Sequence, residues 1–267
     1  MAEKFVTAAS VKEAASLKNR RSAFLAGGTE INRLGSTCKA RTLISIGRIG
    51  ELDGVSVLDD CIRIGAMCTF QDIVENKDVP AFIREACLFM GSRTKRNMAT
   101  IGGNIAAART DSYLCATLLA CHAGLLLCDR EGKEIRRCVK GFLEGPKEYA
   151  NMLIRAVLIP RDSFAVSKRY SNTEQSHAVL TVSMGLSEGK LRLGVAAKDT
   201  YLGLLPQITD AIAGSKKPLE DSEILELVKA CPALRFRQDI FGSPEYKRYL
   251  LSVTIADLAE KIRGGRA

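Results

Sequence analysis

Two short stretches of this 267-residue chain combine adjacent glycines with hydroxyl, amide and carboxyl side chains. The first glycine motif is Leu25-Ala26-Gly27-Gly28-Thr29-Glu30-Ile31, and the second is Thr100-Ile101-Gly102-Gly103-Asn104, which closes a stretch that begins at Arg96. Glycine lets the backbone approach a ligand closely and adopt positive φ, and threonine and asparagine add hydrogen-bond donors and acceptors. A single Gly-Gly pair is usually a tight turn. Two such loops predict two clamps on one extended polar ligand.

The rest of the sequence carries few residues suited to acid–base, nucleophilic or metal chemistry. It has two histidines, His122 in an apolar run and His177 before a predicted strand, and a lone histidine of this kind is usually structural. The sequence lacks the Gly-x-Ser-x-Gly, His-Glu-x-x-His, Walker and Gly-x-Gly-x-x-Gly patterns. We therefore expect no catalytic side chain and no metal ligand, and instead a bound cofactor that brings its own chemistry.

The composition is that of a globular protein with an excess of positive charge. Hydrophobic residues make up 46% of the chain and the net charge is +9. The basic residues are scattered, and their densest groups, Lys18 to Arg21 and Arg93 to Arg96, are not interleaved with aromatic residues. We expect no nucleic-acid binding, and an anionic small ligand or an acidic partner protein explains the excess equally well.

Nine cysteines are present, with no Cys-x-x-Cys pair and no spacing that suits zinc or an iron–sulfur cluster. Several lie in apolar runs, so we expect reduced and mostly buried thiols in a cytoplasmic protein. The amino terminus lacks the apolar core of a signal peptide. The most apolar segment, Cys115 to Cys128, is too short to span a membrane.

The first motif is predicted to follow a buried strand in an amino-terminal β-α-β-β block. The strands are Phe5-Val6, Ala23–Ala26 and Thr42–Gly47, and the helix Val11–Asn19 is capped by Ser10 with Glu13 completing a capping box. Loops at the end of a buried strand are favoured ligand sites in α/β folds.

Two further blocks are predicted from hydrophobic periodicity and turn residues. The second contains a hairpin (Val55–Leu58 with Cys61–Gly65), helices after Thr69, from Pro80 to Met90 and from Thr110 to His122, and strands Leu125–Cys128, Glu134–Val139 and Met152–Ile159. The third contains strands Phe164–Tyr170, Val179–Leu186 and Leu191–Ala197, and helices Pro218–Ala230 and Pro244 to about Arg263. This order predicts small α+β units, the last a meander sheet with helices packed on one face, and two glycine loops facing each other across a cleft.

The two motifs, in this order and separation, resemble the FAD signatures of the flavin subunits of molybdenum hydroxylases. That family includes the FAD-binding medium subunits of xanthine dehydrogenase and carbon monoxide dehydrogenase, and the similarity is greatest to short, stand-alone bacterial flavin subunits. Further similarity lies in Ile62–Ala66, Asn104–Ala108, Asp111, Lys168 and Tyr246–Tyr249.

The resemblance implies an α+β fold with a two-part FAD-binding domain of the vanillyl-alcohol-oxidase (PCMH) type, followed by a small C-terminal domain. The implied limits are residues 1–160, with subdomains of about 1–53 and 54–160, and residues 161–267. The implied cofactor-binding residues are Leu25, Ala26, Gly27, Gly28, Thr29, Glu30, Ile31, Thr100, Ile101, Gly102, Gly103, Asn104, Asp111 and Lys168.

Within that set, the resemblance assigns different parts of FAD to different residues. Residues 26–31 would wrap the pyrophosphate and ribityl chain, and residues 100–104 would form the second clamp with Ile101 near the isoalloxazine ring. Asp111 would hydrogen-bond the polar chain of the flavin, or else be a carboxylate at a helix N-terminus. Lys168 would approach the ring from the C-terminal domain, or else be a solvated strand lysine.

The chain departs from the family pattern at two places. Ala108-Arg109-Thr110-Asp111 replaces a small-residue, proline-containing run, and Ser171 and Gln175 stand where the family tends to have arginine and aspartate. The departures bear more on the C-terminal contacts than on the FAD site, and they could also reflect altered partners.

The implied function is that of the FAD-binding electron-transfer subunit of a multi-subunit enzyme. Its partners would be a molybdopterin-binding large subunit and a small [2Fe–2S] subunit, with NAD⁺ or another acceptor receiving the electrons. Two alternatives stay open: a stand-alone FAD-dependent oxidoreductase, and a docking subunit that has lost its cofactor. The residues after Pro160 do not obviously supply the acid–base groups of the first, and the intact glycines speak against the second.

Overall fold

The computed structural model describes residues 2–34, 36, 38–145 and 148–264. Backbone packing divides the chain into two compact units that are not continuous in sequence. The amino-terminal unit comprises Met1–Leu88, Ser92–Ala107 and Ala123–Arg161, and the carboxy-terminal unit comprises Phe89–Gly91, Ala108–His122 and Asp162–Ala267. The predicted domain limits at residues 160 and 161 stay predictions.

The bounds of the elements confirm the predicted α+β class. The strands are β1 (Lys4–Thr7), β2 (Ser22–Leu25), β3 (Thr42–Ser45), β4 (Val55–Val57), β5 (Cys61–Gly65), β6 (Gly124–Cys128), β7 (Glu134–Cys138), β8 (Leu153–Pro160), β9 (Phe164–Tyr170), β10 (Leu180–Ser187), β11 (Lys190–Ala197) and β12 (Tyr201–Leu204). The helices are α1 (Val11–Leu17), α2 (Phe70–Glu75), α3 (Ala81–Leu88), α4 (Arg93–Arg96), α5 (Ile101–Ala107), α6 (Cys115–Ala120), α7 (Val139–Glu144), α8 (Pro206–Gly214), α9 (Asp221–Ala230) and α10 (Pro244–Gly264).

The amino-terminal unit begins with a parallel sheet in the order β1-β3-β2. Helix α1 covers it, because its apolar stripe packs with Ile44 and Ile46 of the central strand region. Ser10 caps α1 as predicted, by accepting a hydrogen bond from the Glu13 N–H. The Glu13 carboxylate accepts from the N–H of Ala9, one residue before the expected partner, at 2.7 Å.

A second sheet of the same unit is antiparallel throughout, in the order β4-β5-β8-β6-β7. The predicted hairpin of β4 and β5 is confirmed. Strand β8 lies at the centre of this sheet, and most of its side chains are buried. That central position explains its almost continuous apolar sequence.

The second glycine motif forms a helix, which corrects the prediction of a loop. Residues Ile101–Ala107 are helical, and the hydroxyl of Thr100 accepts from the N–H of Gly103 at the first turn. Adjacent glycines disfavour helix by about 1 kcal/mol each. Gly102 is required here by packing, because a Cβ on it would lie 2.7 Å from the Cβ of Ala66.

The carboxy-terminal unit is built on the predicted meander, in the order β12-β11-β10-β9. Helix α6 packs on one face, while α8, α9 and α10 cover the other, so the expectation of helices on one face is wrong. Glycines in the sheet permit the second layer, since a Cβ on Gly194 would lie 2.2 Å from the carbonyl oxygen of Ala116 in α6. The predicted helix Thr110–His122 is shortened to the six buried residues of α6.

The cysteines are free thiols, and six of the nine are buried, as predicted. Burial raises the pKa of the Cys115 thiol to about 11. Within the described ranges, no helix is long and apolar enough to cross a membrane.

The β10–β11 hairpin turns through Glu188 and Gly189, both with positive φ (53° and 70°). Asparagine adopts this conformation more readily than glutamate. We expect Glu188→Asn to stabilise the protein by about 0.5 to 1 kcal/mol, measured by thermal unfolding, because the ion pair of the exposed Glu188 carboxylate with Arg192 (3.7 Å) that it removes contributes little. The N–H of residue 188, which donates to Asp162, is retained in this variant. Gly189→Ala should shift the melting temperature downward; a lower melting temperature for Glu188→Asn would contradict this account.

Candidate functional site

The first glycine motif lies directly against the chain that leads into the second. Gly27 follows the end of β2 by two residues, and a Cβ on it would lie 1.5 Å from the carbonyl oxygen of Met98. Only glycine fits such an approach without moving one of the two backbones. The first motif thus contacts the segment that leads into the second within the amino-terminal unit, and the predicted cleft between two facing glycine loops stays a prediction.

The first motif offers several backbone donors. The N–H groups of Gly27, Gly28, Thr29 and Ile31 donate to no residue that the structure describes. Gly28 has a φ of +73°, so it adopts the left-handed backbone conformation in the middle of this run. Successive N–H groups around a left-handed residue form concave anion-binding nests. The motif is thus suited to a phosphate or pyrophosphate group.

Glu30 and Arg33 brace the same loop. The guanidinium of Arg33 donates to both carboxylate oxygens of Glu30 at 3.0–3.2 Å. Two backbone bonds tighten the turn, from Asn32 to the carbonyl of Gly28 and from Arg33 to that of Glu30. The carboxylate of Glu30 is therefore engaged within the loop, while the N–H groups that precede it are available.

The second motif has the opposite character, because its backbone donors are already used. Ile101 and Gly102 donate to the carbonyls of Cys68 and Ala66, each at 3.0 Å, and Asn104 donates to the carbonyl of Thr100. Gly103 is partly exposed, and a Cβ on it would lie 2.9 Å from the Thr100 hydroxyl, which is closer than side chains tolerate. The second motif can offer surface to a ligand, but not these backbone N–H groups.

Ile101 is fully buried. Its predicted nearness to a flavin ring stays a prediction.

Asp111 belongs to the carboxy-terminal unit and is ion-paired. Its two oxygens accept from the guanidinium of Arg109 at 2.6 and 2.7 Å, and Nδ1 of His177 lies 3.5 Å away. Burial alone would raise the pKa of this carboxyl, but the hydrogen bonds and charge of Arg109, with His177, hold its pKa below the usual value. The alternative interpretation of Asp111 was a carboxylate at a helix N-terminus. At the start of α6 it is instead the hydroxyl of Ser112 that accepts a hydrogen bond from the N–H of Cys115.

Lys168 lies on the other face of the C-terminal sheet from this cluster. It sits near Asp257 of α10 (Nζ to Oδ2, 3.7 Å), and interaction with Tyr170 raises its pKa. Its neighbours in β9 face α6: Ser167 bonds Thr117, and Arg169 lies over the ring of Tyr113. The structure therefore does not bring Lys168 and Asp111 together.

Several residues of this geometry were not identified from the sequence. The carbonyl of Met98 has no side-chain signature, so nothing in the sequence marks it as the neighbour of Gly27. Arg109 and Tyr113 lie within two residues of Asp111 in the sequence. The Arg-x-Asp spacing is the sequence signal that could have predicted the Arg109–Asp111 ion pair. His177 reaches Asp111 only through the fold.

Comparison with known proteins identifies the family of the chain. Residues 1–162 match the family described as the FAD binding domain in molybdopterin dehydrogenase. The uncharacterised protein YgfM of Escherichia coli strain K12 is 30% identical, over 97% of this chain and 95% of its own length. The nicotinate dehydrogenase FAD-subunit of Eubacterium barkeri is 26% identical, over 91% of this chain and 90% of its own.

A solved structure shares the fold along the whole chain. Quinoline 2-oxidoreductase from Pseudomonas putida 86 superposes with a TM-score of 0.83, covering 99% of this chain and 98% of that chain at 19% sequence identity. The predicted resemblance is thus confirmed: the chain belongs to the family of FAD-binding domains of molybdopterin dehydrogenases.

Proposed function

We propose that this chain is the FAD-binding electron-transfer subunit of a multi-subunit molybdenum hydroxylase. The observation that carries the proposal is the contact of Gly27 with the backbone of Met98, which holds the available N–H groups of Gly27, Gly28, Thr29 and Ile31 against the segment that leads into the second motif. Membership of the FAD-binding family supports it, as does a full-length relative that is itself named a FAD-subunit. A molybdopterin-binding large subunit and a small [2Fe–2S] subunit are the proposed partners, in the cytoplasm.

The residues of the amino-terminal unit fit FAD by the chemistry of their donors. The N–H groups of Gly27, Gly28 and Thr29 would donate to the pyrophosphate, whose negative charge suits a nest of backbone amides. Leu25 and Ala26 would hold that loop at the end of β2, and the Glu30–Arg33 pair would keep its curvature. When bound, FAD supplies the redox chemistry, taking electrons from an iron–sulfur centre and releasing them to NAD⁺ or another acceptor.

The second motif would supply a surface for the cofactor rather than backbone hydrogen bonds. Thr100, Gly103 and Asn104 lie at the start of α5, against which the extended cofactor would lie. Asp111 and Lys168 are proposed contacts of the carboxy-terminal unit. Arg109 would keep Asp111 ionised and able to accept a hydrogen bond. No proton transfer by a side chain is required of this chain.

We expect the purified chain to be yellow and to contain about one FAD per chain, because the family and the donor set both suit that cofactor. The measurement is the absorbance spectrum, with FAD quantified after denaturation. A colourless chain that does not take up FAD on reconstitution would contradict the proposal. Steady-state oxidation of a substrate by the isolated chain would favour the stand-alone oxidoreductase instead.

Replacing Gly27 by alanine should abolish stoichiometric FAD binding, or weaken it at least tenfold. The added Cβ cannot coexist with the carbonyl of Met98, so the loop must move away from the segment that precedes the second motif. The measurement is flavin titration followed by fluorescence quenching, with circular dichroism to check folding. Gly47→Ala is the matched control, since a Cβ there meets nothing within 4 Å. If Gly27→Ala does not fold, Gly28→Ala provides a milder change at a positive φ and should still weaken binding.

Lys168→Met tests the proposed contact of the carboxy-terminal unit. Lys168 and Lys261 both lie near the carboxylate of Asp257, at 3.7 and 3.0 Å. If Lys168 also touches FAD, Lys168→Met should lower FAD affinity or the flavin potential, while Lys261→Met should change neither. Equal effects of the two variants would assign Lys168 to the surface of the sheet.

A further inference from the structure

A dense group of positive charges lies at the end of the parallel sheet where its strands begin. Strands β1, β2 and β3 run in the same direction, so the turns that enter them meet at one end. We define the basic edge as the five exposed cations of these turns and strand starts: Lys4, Arg20, Arg21, Lys39 and Arg41. Glu3 is the one acidic residue in the same turns.

Backbone hydrogen bonds hold the three turns together. The N–H of Arg41 donates to the carbonyl of Arg21 at 2.8 Å, and the N–H of Glu3 donates to the carbonyl of Arg41 at 2.7 Å. Neighbouring strands are about 4.8 Å apart. Cations from three separate segments are therefore fixed close to one another.

The charges of the basic edge are scarcely compensated within the chain. Arg41 approaches Glu3 at 3.6 Å, but both side chains are more than 60% exposed, and such pairs contribute little. Lys4, Arg20, Arg21 and Lys39 form no ion pair with any residue in the described ranges. Clustered like charges repel one another, and an anionic partner would lower the electrostatic free energy of this surface.

The basic edge is separate from the proposed flavin site. The first glycine motif leaves β2 at its opposite end, and a four-residue strand at about 3.3 Å per residue spans roughly 13 Å. The cofactor's pyrophosphate therefore does not account for these charges.

Exposed apolar side chains accompany the cations. Phe5, beside Lys4 on the edge strand β1, is 59% exposed, and Leu17 at the end of α1 is 36% exposed. Arginine and aromatic residues together are enriched in protein–protein interfaces. The guanidinium group of an arginine can also donate two parallel hydrogen bonds to one carboxylate.

We propose that the basic edge docks a carboxylate-rich surface of a partner protein subunit. The inference rests on the proposed function for the existence of a complex, and it adds the place and the chemistry of one contact. Anionic membranes and nucleic acids present other polyanionic surfaces, and binding to either of them in place of a subunit would overturn the proposal.

The direct test is carbodiimide coupling within the purified native complex, because this reagent joins lysine amines to carboxylates in contact. Peptide mass spectrometry should find Lys4 or Lys39 joined to aspartate or glutamate of a partner subunit. Coupling confined to other lysines, with Lys4 and Lys39 freely acetylated in the complex, would overturn the inference.

The matched test is charge reversal. Arg20→Glu/Arg21→Glu should weaken association with the partner subunit about tenfold or more and reduce its salt dependence. Lys216→Glu/Lys217→Glu makes the same charge change at exposed residues of the other unit and should leave association within about twofold. Equal weakening in both variants would contradict the proposal, as would preferential binding of the wild-type chain to RNA or to phosphatidylserine vesicles.

Flavin content separates this inference from the proposed function. All variants should retain FAD, because the basic edge lies away from the glycine motifs. A wild-type chain that holds FAD but joins no subunit overturns the docking inference and leaves FAD binding intact. A chain without FAD contradicts the proposed function itself.

Discussion

The contact between Gly27 and the carbonyl of Met98 is the constraint on which the amino-terminal unit depends. The chain at Met98 is fixed from its other side, because the N–H of Phe70 donates to the carbonyl of Ala99 and Thr69 forms a bridge with Thr100. The first glycine motif therefore rests on a segment that cannot easily retreat. A side chain at position 27 would have to separate the end of β2 from this segment, and with it the two halves of the proposed clamp.

That contact brings the first motif against the segment that leads into the second, and the two motifs have different physical properties. The first keeps several backbone N–H groups available and is suited to anionic oxygens, while the second uses its N–H groups to anchor α5 to residues 66 and 68. One motif can supply directional hydrogen bonds and the other a fixed surface. Such an arrangement would suit the proposed cofactor site, which needs no acid–base groups from the protein, and the sequence has few catalytic side chains. In the carboxy-terminal unit, Asp111 and Lys168 lie on opposite faces of one sheet, so they cannot serve a ligand in the same way.

Much of the fold was predictable where local signals decide the structure. The Ser10 cap, the β4–β5 hairpin and the strand Phe164–Tyr170 follow from capping, turn and alternation patterns. The helical state of Ile101–Ala107 was not predictable, because paired glycines disfavour helix and their role is packing against Ala66. The short α6 within an apolar run and the missed strand β12 depend on pairing across the C-terminal sheet. For the candidate site, the motifs were visible in the sequence, but the Gly27–Met98 contact and the Arg109–Asp111–His177 cluster required the fold.

The most direct test of this account is hydrogen exchange of individual backbone amides, measured by NMR with and without FAD. The account predicts that FAD strongly protects the amides of Gly27, Gly28, Thr29 and Ile31, which have no acceptor among the described residues. The amides of residues 101–104, already hydrogen-bonded within the unit, should change little. Protection that appears only in residues 101–104, or in neither motif although FAD is bound, would contradict the claim that the first motif is the anion-binding half of the site.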